Sequence, residues 1–278
     1  MLENKTEIRN RWESAAPGWA KWEYVLASGF RGATETMLDI AHVQPGMSVL
    51  DVACGAGSAS VQAAQRVGPD GRVVSSDISA TMLDHVRENA TRLGVENIET
   101  LECAAEDLSA DSDPFDAAIC RLGLMLFPDP VKSATALRNA LKPGARFAPL
   151  VFTTPAKNPF MSGPMQILLR HAGKEPPPPG GPGIFALGSS GLLHSKLVES
   201  GYAQVSTNVV PVKLSLKSAN EALEMMRGAF GNYRTVVAEL SEDERNAAWS
   251  EVGDFLKQFE NNAGWETELE VIIASGMA

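Results

Sequence analysis

The stretch Ser48-Val49-Leu50-Asp51-Val52-Ala53-Cys54-Gly55-Ala56-Gly57-Ser58 decides how the chain is read. A continuous apolar run enters an acidic residue and then two glycines separated by one residue. That is how a strand buried on both faces hands over to a tight loop where a ligand meets bare backbone. The next apolar run, Arg72-Val73-Val74-Ser75-Ser76, ends on Asp77, where a second parallel strand would present a carboxylate to a ribose diol. Together the two runs imply an adenosine-containing ligand.

Working outward, further strands are expected at Asn97 to Glu102, Pro114 to Cys120 and Arg146 to Phe152. Between them lie helices from about Ser58 to Arg66, from Ala80 to Leu93 with Ser79 as cap and Gly94 as stop, and over 131–141, ended by Lys142-Pro143-Gly144. Strands alternating with helices mean βαβ units and an α/β, doubly wound, mostly parallel sheet. Ahead of the core, residues 3–41 read as helices interrupted at Pro17-Gly18, carrying Trp12, Trp19 and Trp22. Beyond Thr153 the alternation breaks, and the run Pro176 to Gly183 excludes a helix or a central strand. Helices over 189–200, 218–230 and 241–260 follow, with extended chain at Gln204 to Leu216 and a last strand at Glu268 to Ala274. The expected organisation is an amino-terminal helical cap at 1–42, a binding core at 43–154, a proline-rich substrate lid at 155–190, and the remainder of the core with inserted helices at 191–278.

The 278 residues and 44% hydrophobic content suffice for one large α/β domain. Formal net charge is -10, and the 24 basic residues form no run longer than a pair, which argues against a nucleic-acid backbone or an anionic membrane as partner. Cys54, Cys103 and Cys120 lack metal-ligand spacing and indicate neither zinc nor a disulfide framework. With no apolar stretch near the roughly 20 residues needed to span a bilayer, a soluble, cytoplasmic protein is expected, as monomer or homodimer.

A nicotinamide dinucleotide loop requires G-x-G-x-x-G. Anchored on Gly55 and Gly57, that spacing puts Ser60 at the third glycine; anchored one step earlier, it puts Ala53 and Ser58 at two of the three. Both placements fail. An acid just before the glycines repels phosphate and suits an ammonium group.

Val49 to Gly57 resembles the first motif of class I S-adenosylmethionine-dependent methyltransferases, and Asp77-Ile78-Ser79-Ala80-Thr81-Met82-Leu83 resembles their second. Glu102 to Leu108 falls at the adenine-edge position, Phe115 to Asp129 is similar to the fourth motif, and Leu137 to Gly144 to the helix and turn after it. Five ordered motifs place the closest resemblance with the ubiquinone/menaquinone-biosynthesis, UbiE-like branch. The resemblance implies a Rossmann-like sheet of seven strands, S-adenosylmethionine as cofactor with S-adenosylhomocysteine as product, and a small-molecule methyl acceptor. It implies cofactor contacts from Trp19, Asp51, Ala53, Cys54, Gly55, Gly57, Asp77, Ile78, Met82, Ala105, Glu106, Asp107, Cys120, Arg121 and Leu122. Two departures stand out. Ala104 occupies a position where the family usually carries an acid, passing the adenine-amino role to Glu106 or to backbone around Ala105. Ala53 replaces the first glycine of the commonest loop, which is tolerated if the backbone there avoids positive φ.

Methyl transfer to oxygen or carbon, in preference to nitrogen, needs in-line alignment and exclusion of water, with a general base as an aid. His171 and His194 flank the proline-rich segment and are the candidate bases; His42 and His85 read as solvated. Cys54 reads as a packing residue, Asp129 as a helix cap, and Arg121 either as a substrate contact or through its backbone alone. The alternative is a protein that binds S-adenosylmethionine structurally without methylating.

Overall fold

A computed structural model describes residues 4–109, 113–176 and 181–278. In chain order the elements are α1 (Lys5–Gly29), α2 (Arg31–Ile40), β1 (Ser48–Val52), α3 (Ser58–Val67), β2 (Arg72–Asp77), α4 (Ala80–Leu93), β3 (Ile98–Glu102), β4 (Phe115–Arg121), α5 (Pro130–Asn139), β5 (Leu141–Phe152) and α6 (Pro159–His171). They continue as α7 (Leu192–Glu199), β6 (Ala203–Leu216), α8 (Ala219–Ala229), α9 (Gly231–Val236), α10 (Glu242–Leu256), β7 (Glu260–Asn261) and β8 (Gly264–Met277).

Seven principal strands lie in the order β3-β2-β1-β4-β5-β8-β6, and the two-residue β7 pairs with β8 off this path. The five strands from β3 to β5 are parallel, while β8 runs antiparallel to both β5 and β6. From β1 the chain runs outward through α3 and α4 to β2 and β3 on one side, then returns to β4 on the other side of β1, so the strand order reverses between β1 and β4. Ligands of open α/β sheets bind outside the carboxyl ends of strands at such a switch point.

The central strands read as unbroken apolar runs because helices cover both faces: Val49, Leu50, Ala117, Ala118, Ile119, Leu150 and Val151 are each fully buried. Helix ends follow local chemistry. The Ser79 side chain accepts from Met82 N at 3.1 Å and Asp129 from Lys132 N at 2.9 Å, each serving a donor that has no partner within its helix.

Four expectations are corrected. Pro17-Gly18 does not interrupt the first helix: α1 runs through it, with the Pro17 ring on the solvent side and Gly18 packed against the Gly228 carbonyl of α8. The fifth strand begins at Leu141 rather than Arg146, because Lys142-Pro143-Gly144 forms an irregularity inside the strand, with Gly144 at φ +82°. The last strand extends over Gly264–Met277, since β6 pairs along nearly its whole length. The proline-rich region is more structured than a surface excursion. α6 buries Phe160, Met161 and Leu168 and sets Phe160 edge-on to Trp265 at 5.0 Å, while Gly183 N returns to Met125 O at 3.0 Å. Of that proline run, 177–180 lies outside the described residues.

Candidate functional site

A cavity opens over the carboxyl ends of β1, β2 and β4, floored by the glycine loop and covered by α1. The loop after β1 turns through three left-handed residues, Ala53 at φ 52°, Gly55 at φ +56° and Gly57 at φ +93°. Ala53 corrects the expectation of ordinary backbone at that position. A left-handed alanine costs on the order of 1 kcal/mol. A methyl group fits there because Gly123, which faces it, has none: a Cβ on Gly123 would come within 2.7 Å of Ala53 Cβ. At Gly55 an added Cβ would meet nothing within 4 Å, so that backbone is open to a ligand. Gly57 has a different reason to be glycine. It lies against Val86 of α4, with an added Cβ 3.0 Å from Val86 Cγ2, and it is not on the cavity wall.

Two carboxylates define the polar end of the site. Asp77, at the tip of β2, accepts from Gly55 N at 3.1 Å and Ser79 N at 3.0 Å, and burial raises its pKa to about 6 despite those donors. It is ionised at neutral pH and lines the cavity. Asp51 lies beneath the loop, fully buried. One of its oxygens accepts from Ser60 Oγ at 2.6 Å and the other has no hydrogen-bond partner. Burial raises its pKa to about 7. An orphaned carboxylate oxygen in a buried position marks a group prepared for a cation.

Of the residues expected to touch a cofactor, Trp19, Ala53, Cys54, Gly55, Asp77, Ile78, Met82, Ala105, Glu106, Arg121 and Leu122 line the cavity. Asp51 and Cys120 lie behind its wall, and Asp107 lies outside it, bonded to Lys5 Nζ at 2.6 Å. Desolvation lifts the Cys120 thiol to about 12 and the Cys54 thiol well above its usual range, so both act as small packing residues.

Neither candidate histidine reaches the cavity. His171 ends α6 and holds Glu251 Oε2 at 2.8 Å across α10, and His194 is exposed on α7. Their place beside the proline-rich segment in sequence is not a place beside the site, because α6 packs into the core and α1 supplies the cover. Among the described residues no histidine lines the cavity.

Glu23, Phe30 and Phe127 also line the cavity and were not among the expected contacts, while Trp12, carried by the expected amino-terminal helical cap, lines it as well. Trp12 meets Trp19 at 6.3 Å between ring centroids, and Trp19 meets Phe230 edge-on at 5.8 Å, whereas Trp22 is buried in the core. A signal for Glu23 existed: it is an acid on the apolar face of a helix, next to Trp22, Val25 and Leu26. The outer half of α1 is latched by polar contacts one turn apart. Lys5 meets Asp107, Arg9 Nη2 meets Glu102 at 3.3 Å, and Glu13 accepts from the Thr81 hydroxyl. Exposed pairs of this kind contribute only about 0–1 kcal/mol each, so the cover is lightly held.

Residues 43–159 match the family model of a methyltransferase domain. A demethylmenaquinone methyltransferase of Listeria monocytogenes is 31% identical over 151 residues, 53% of this chain and 63% of that protein. The ubiquinone/menaquinone biosynthesis C-methyltransferase UbiE of Idiomarina loihiensis is 35% identical over 119 residues, 42% of this chain and 47% of that protein. The chain thus spans less than two thirds of the length of either relative. Among solved structures, phosphoethanolamine N-methyltransferase 2 of Haemonchus contortus, in complex with S-adenosyl-L-methionine, shares the fold with a TM-score of 0.60 at 16% identity, covering 99% of this chain and 60% of that one.

Proposed function

We propose, from the match of residues 43–159 to a methyltransferase domain and from the UbiE-like relatives, that the chain moves a methyl group from S-adenosylmethionine to oxygen or carbon of a small molecule such as a phenol or quinol. The observation that carries the reading is the pairing of an acid-flanked glycine loop with an aromatic wall in one cavity. The residues fit the cofactor: Asp77 faces the position of a ribose diol, Gly55 leaves its backbone bare, and the free oxygen of Asp51 answers positive charge from below.

The cofactor supplies a methyl group already made electrophilic by its sulfonium. The chain binds, orients and dries the site. Ile78 and Met82 present apolar surface beside Asp77, where an adenine would pack. Trp12 and Trp19 bring aromatic rings to the cavity wall, which would attract a cation and exclude water. With no histidine among the described residues of the wall, the acceptor that suits the site enters as a phenolate; its oxygen, or the ring carbon it activates, takes the methyl group as the carbon–sulfur bond breaks, and attack at carbon is followed by loss of that carbon's own proton. The quinone-pathway names of the relatives agree with that chemistry.

Incubating the chain with methyl-labelled S-adenosylmethionine and a panel of phenols and quinols tests the reading. Label is expected on at least one acceptor. Tight binding of S-adenosylhomocysteine without label transfer would favour structural use of the cofactor, and binding of NAD in its place would overturn the reading. At the loop, Gly55→Val puts a β-branched residue at φ +56° with its side chain in the ligand's space. Calorimetry is expected to find no S-adenosylhomocysteine binding to this variant while unfolding stays cooperative. Retained affinity would remove the loop from the site.

A further inference from the structure

Glu23 borders both the cavity described above and a second groove, of about 400 Å³, between α1, α3 and α4. Each helix gives the groove one stripe, with Tyr24 and Ala27 from α1, Gln62 and Gln65 from α3, and Asn89 and Leu93 from α4. Gln62 is only 9% exposed. Its Nε2 donates to Arg31 O at 3.4 Å and to Glu35 Oε1 at 3.0 Å, both on α2, which turns the other end of the planar amide away from that helix. There Oε1 is buried and, among the described residues, has no hydrogen-bond partner. A buried acceptor left unmade costs about 1–3 kcal/mol, so this oxygen asks for a donor. Positive charge is also unspent here. Arg92 Nη2 donates to Asn89 Oδ1 at 2.9 Å, an uncharged acceptor, and the Arg31 guanidinium meets no carboxylate among the described residues. Arg66 of α3, by contrast, is closed by Glu35 and Asp39. Glu23 itself is committed elsewhere, accepting from Ser58 N at 2.9 Å and lying 4.0 Å from Arg121. Apolar surface completes the groove: Tyr24 and Leu93, 58% and 47% exposed, are two of the five exposed large hydrophobic side chains among the described residues.

We propose that this groove is a second binding site, for a small apolar carboxylic acid that also carries a hydrogen-bond donor. The donor meets Gln62 Oε1, the carboxylate meets Arg92 and Arg31, and the apolar body lies along Tyr24, Val61 and Leu93. A guanidinium suits a carboxylate because its donors match both oxygens, and a flat apolar body covers the exposed ring and leucine. The site stands apart from the first cavity but touches its supports. Asn89 Nδ2 donates to Ala56 O of the glycine loop at 2.9 Å, and Glu23 is common to both walls.

The experiment uses three probes on the full chain. p-Hydroxycinnamate has the acid, the donor and the apolar body; its amide lacks the charge, and p-methoxycinnamate lacks the donor. Each is titrated calorimetrically into wild type, Arg92→Met and Gln62→Leu, alone and with saturating S-adenosylhomocysteine. Wild type is expected to bind the hydroxy acid at one site in both conditions, and the other two probes about fivefold or more weakly, the scale of one hydrogen bond. Arg92→Met is expected to bring the hydroxy acid down to the level of the amide, while the amide itself changes by less than about twofold. Gln62→Leu is expected to erase the difference between the hydroxy and methoxy acids. Arg92 is exposed at the end of α4, so its variant carries the comparison if Gln62→Leu does not fold. No saturable binding of the hydroxy acid, equal binding of acid and amide, or an unchanged acid affinity in Arg92→Met would overturn the inference. Mutually exclusive binding with S-adenosylhomocysteine would place the probe in the first cavity and overturn it too. Failure of S-adenosylhomocysteine to bind would strike the cofactor reading alone, and the probe titrations without it would still decide the groove.

Discussion

Gly18→Ala is expected to destabilise the protein by about 2–3 kcal/mol, although the same exchange inside an ordinary helix stabilises it by about 1 kcal/mol. The sign turns on geometry. A Cβ on Gly18 would lie 2.1 Å from the Gly228 carbonyl oxygen and 2.7 Å from its carbon, and both are backbone atoms that no rotamer can move aside. α1 and α8 would have to separate, loosening Ala15, Ala16 and Trp22, which α1 buries, and Met225 and Met226, which α8 buries. Trp19, which packs edge-on to Phe230 just beyond α8, would move with them. Thermal and denaturant unfolding check the prediction against Gly32→Ala in α2, where an added Cβ meets nothing within 4 Å. That control is expected to raise stability by up to about 1 kcal/mol. Equal stabilisation of both variants would show that the crossing of α1 and α8 gives way without cost.

The same glycine shows where the sequence stops being legible. Pro17-Gly18 reads as punctuation because both residues are poor helix formers locally, yet the helix continues through them. What holds it there is α8, some two hundred positions away, and no local pattern announces that contact. Everything set by neighbours in the chain was readable: the apolar runs of β1 and β2, the Ser79 and Asp129 caps, and the stop at Gly94. The floor of the site belongs to this class, since loop and acids are consecutive with their strands. Its cover does not. Trp12, Glu23 and Phe30 reach the cavity because α1 and α2 lie across strand ends, and His171 misses it because Phe160 meets Trp265 and draws α6 into the core.

Asp51→Asn is expected to separate stability from binding in opposite directions. A carboxyl whose pKa moves from 3.8 to about 7 costs about 4 kcal/mol to ionise in place, and the cause is burial, which outweighs the Ser60 hydrogen bond and the nearby Arg121 charge. The sign of the linkage follows. With its folded pKa above the unfolded value, the group's contribution to stability is fully present below about 4 and is lost as pH rises through about 7. Asparagine keeps the shape without the titration. Thermal unfolding of variant and wild type without ligand is therefore expected to differ little at pH 4, with the gap in the variant's favour widening toward pH 8. A gap independent of pH would mean that Asp51 ionises in place without cost. In S-adenosylhomocysteine titrations at pH 8 the order reverses: the variant loses the negative charge that answers the ligand's ammonium, and its affinity is expected to fall by about tenfold or more. The strain carried by the unliganded fold is thus the same interaction that favours the cofactor, a stability–function trade placed at the residue that ends the first apolar run.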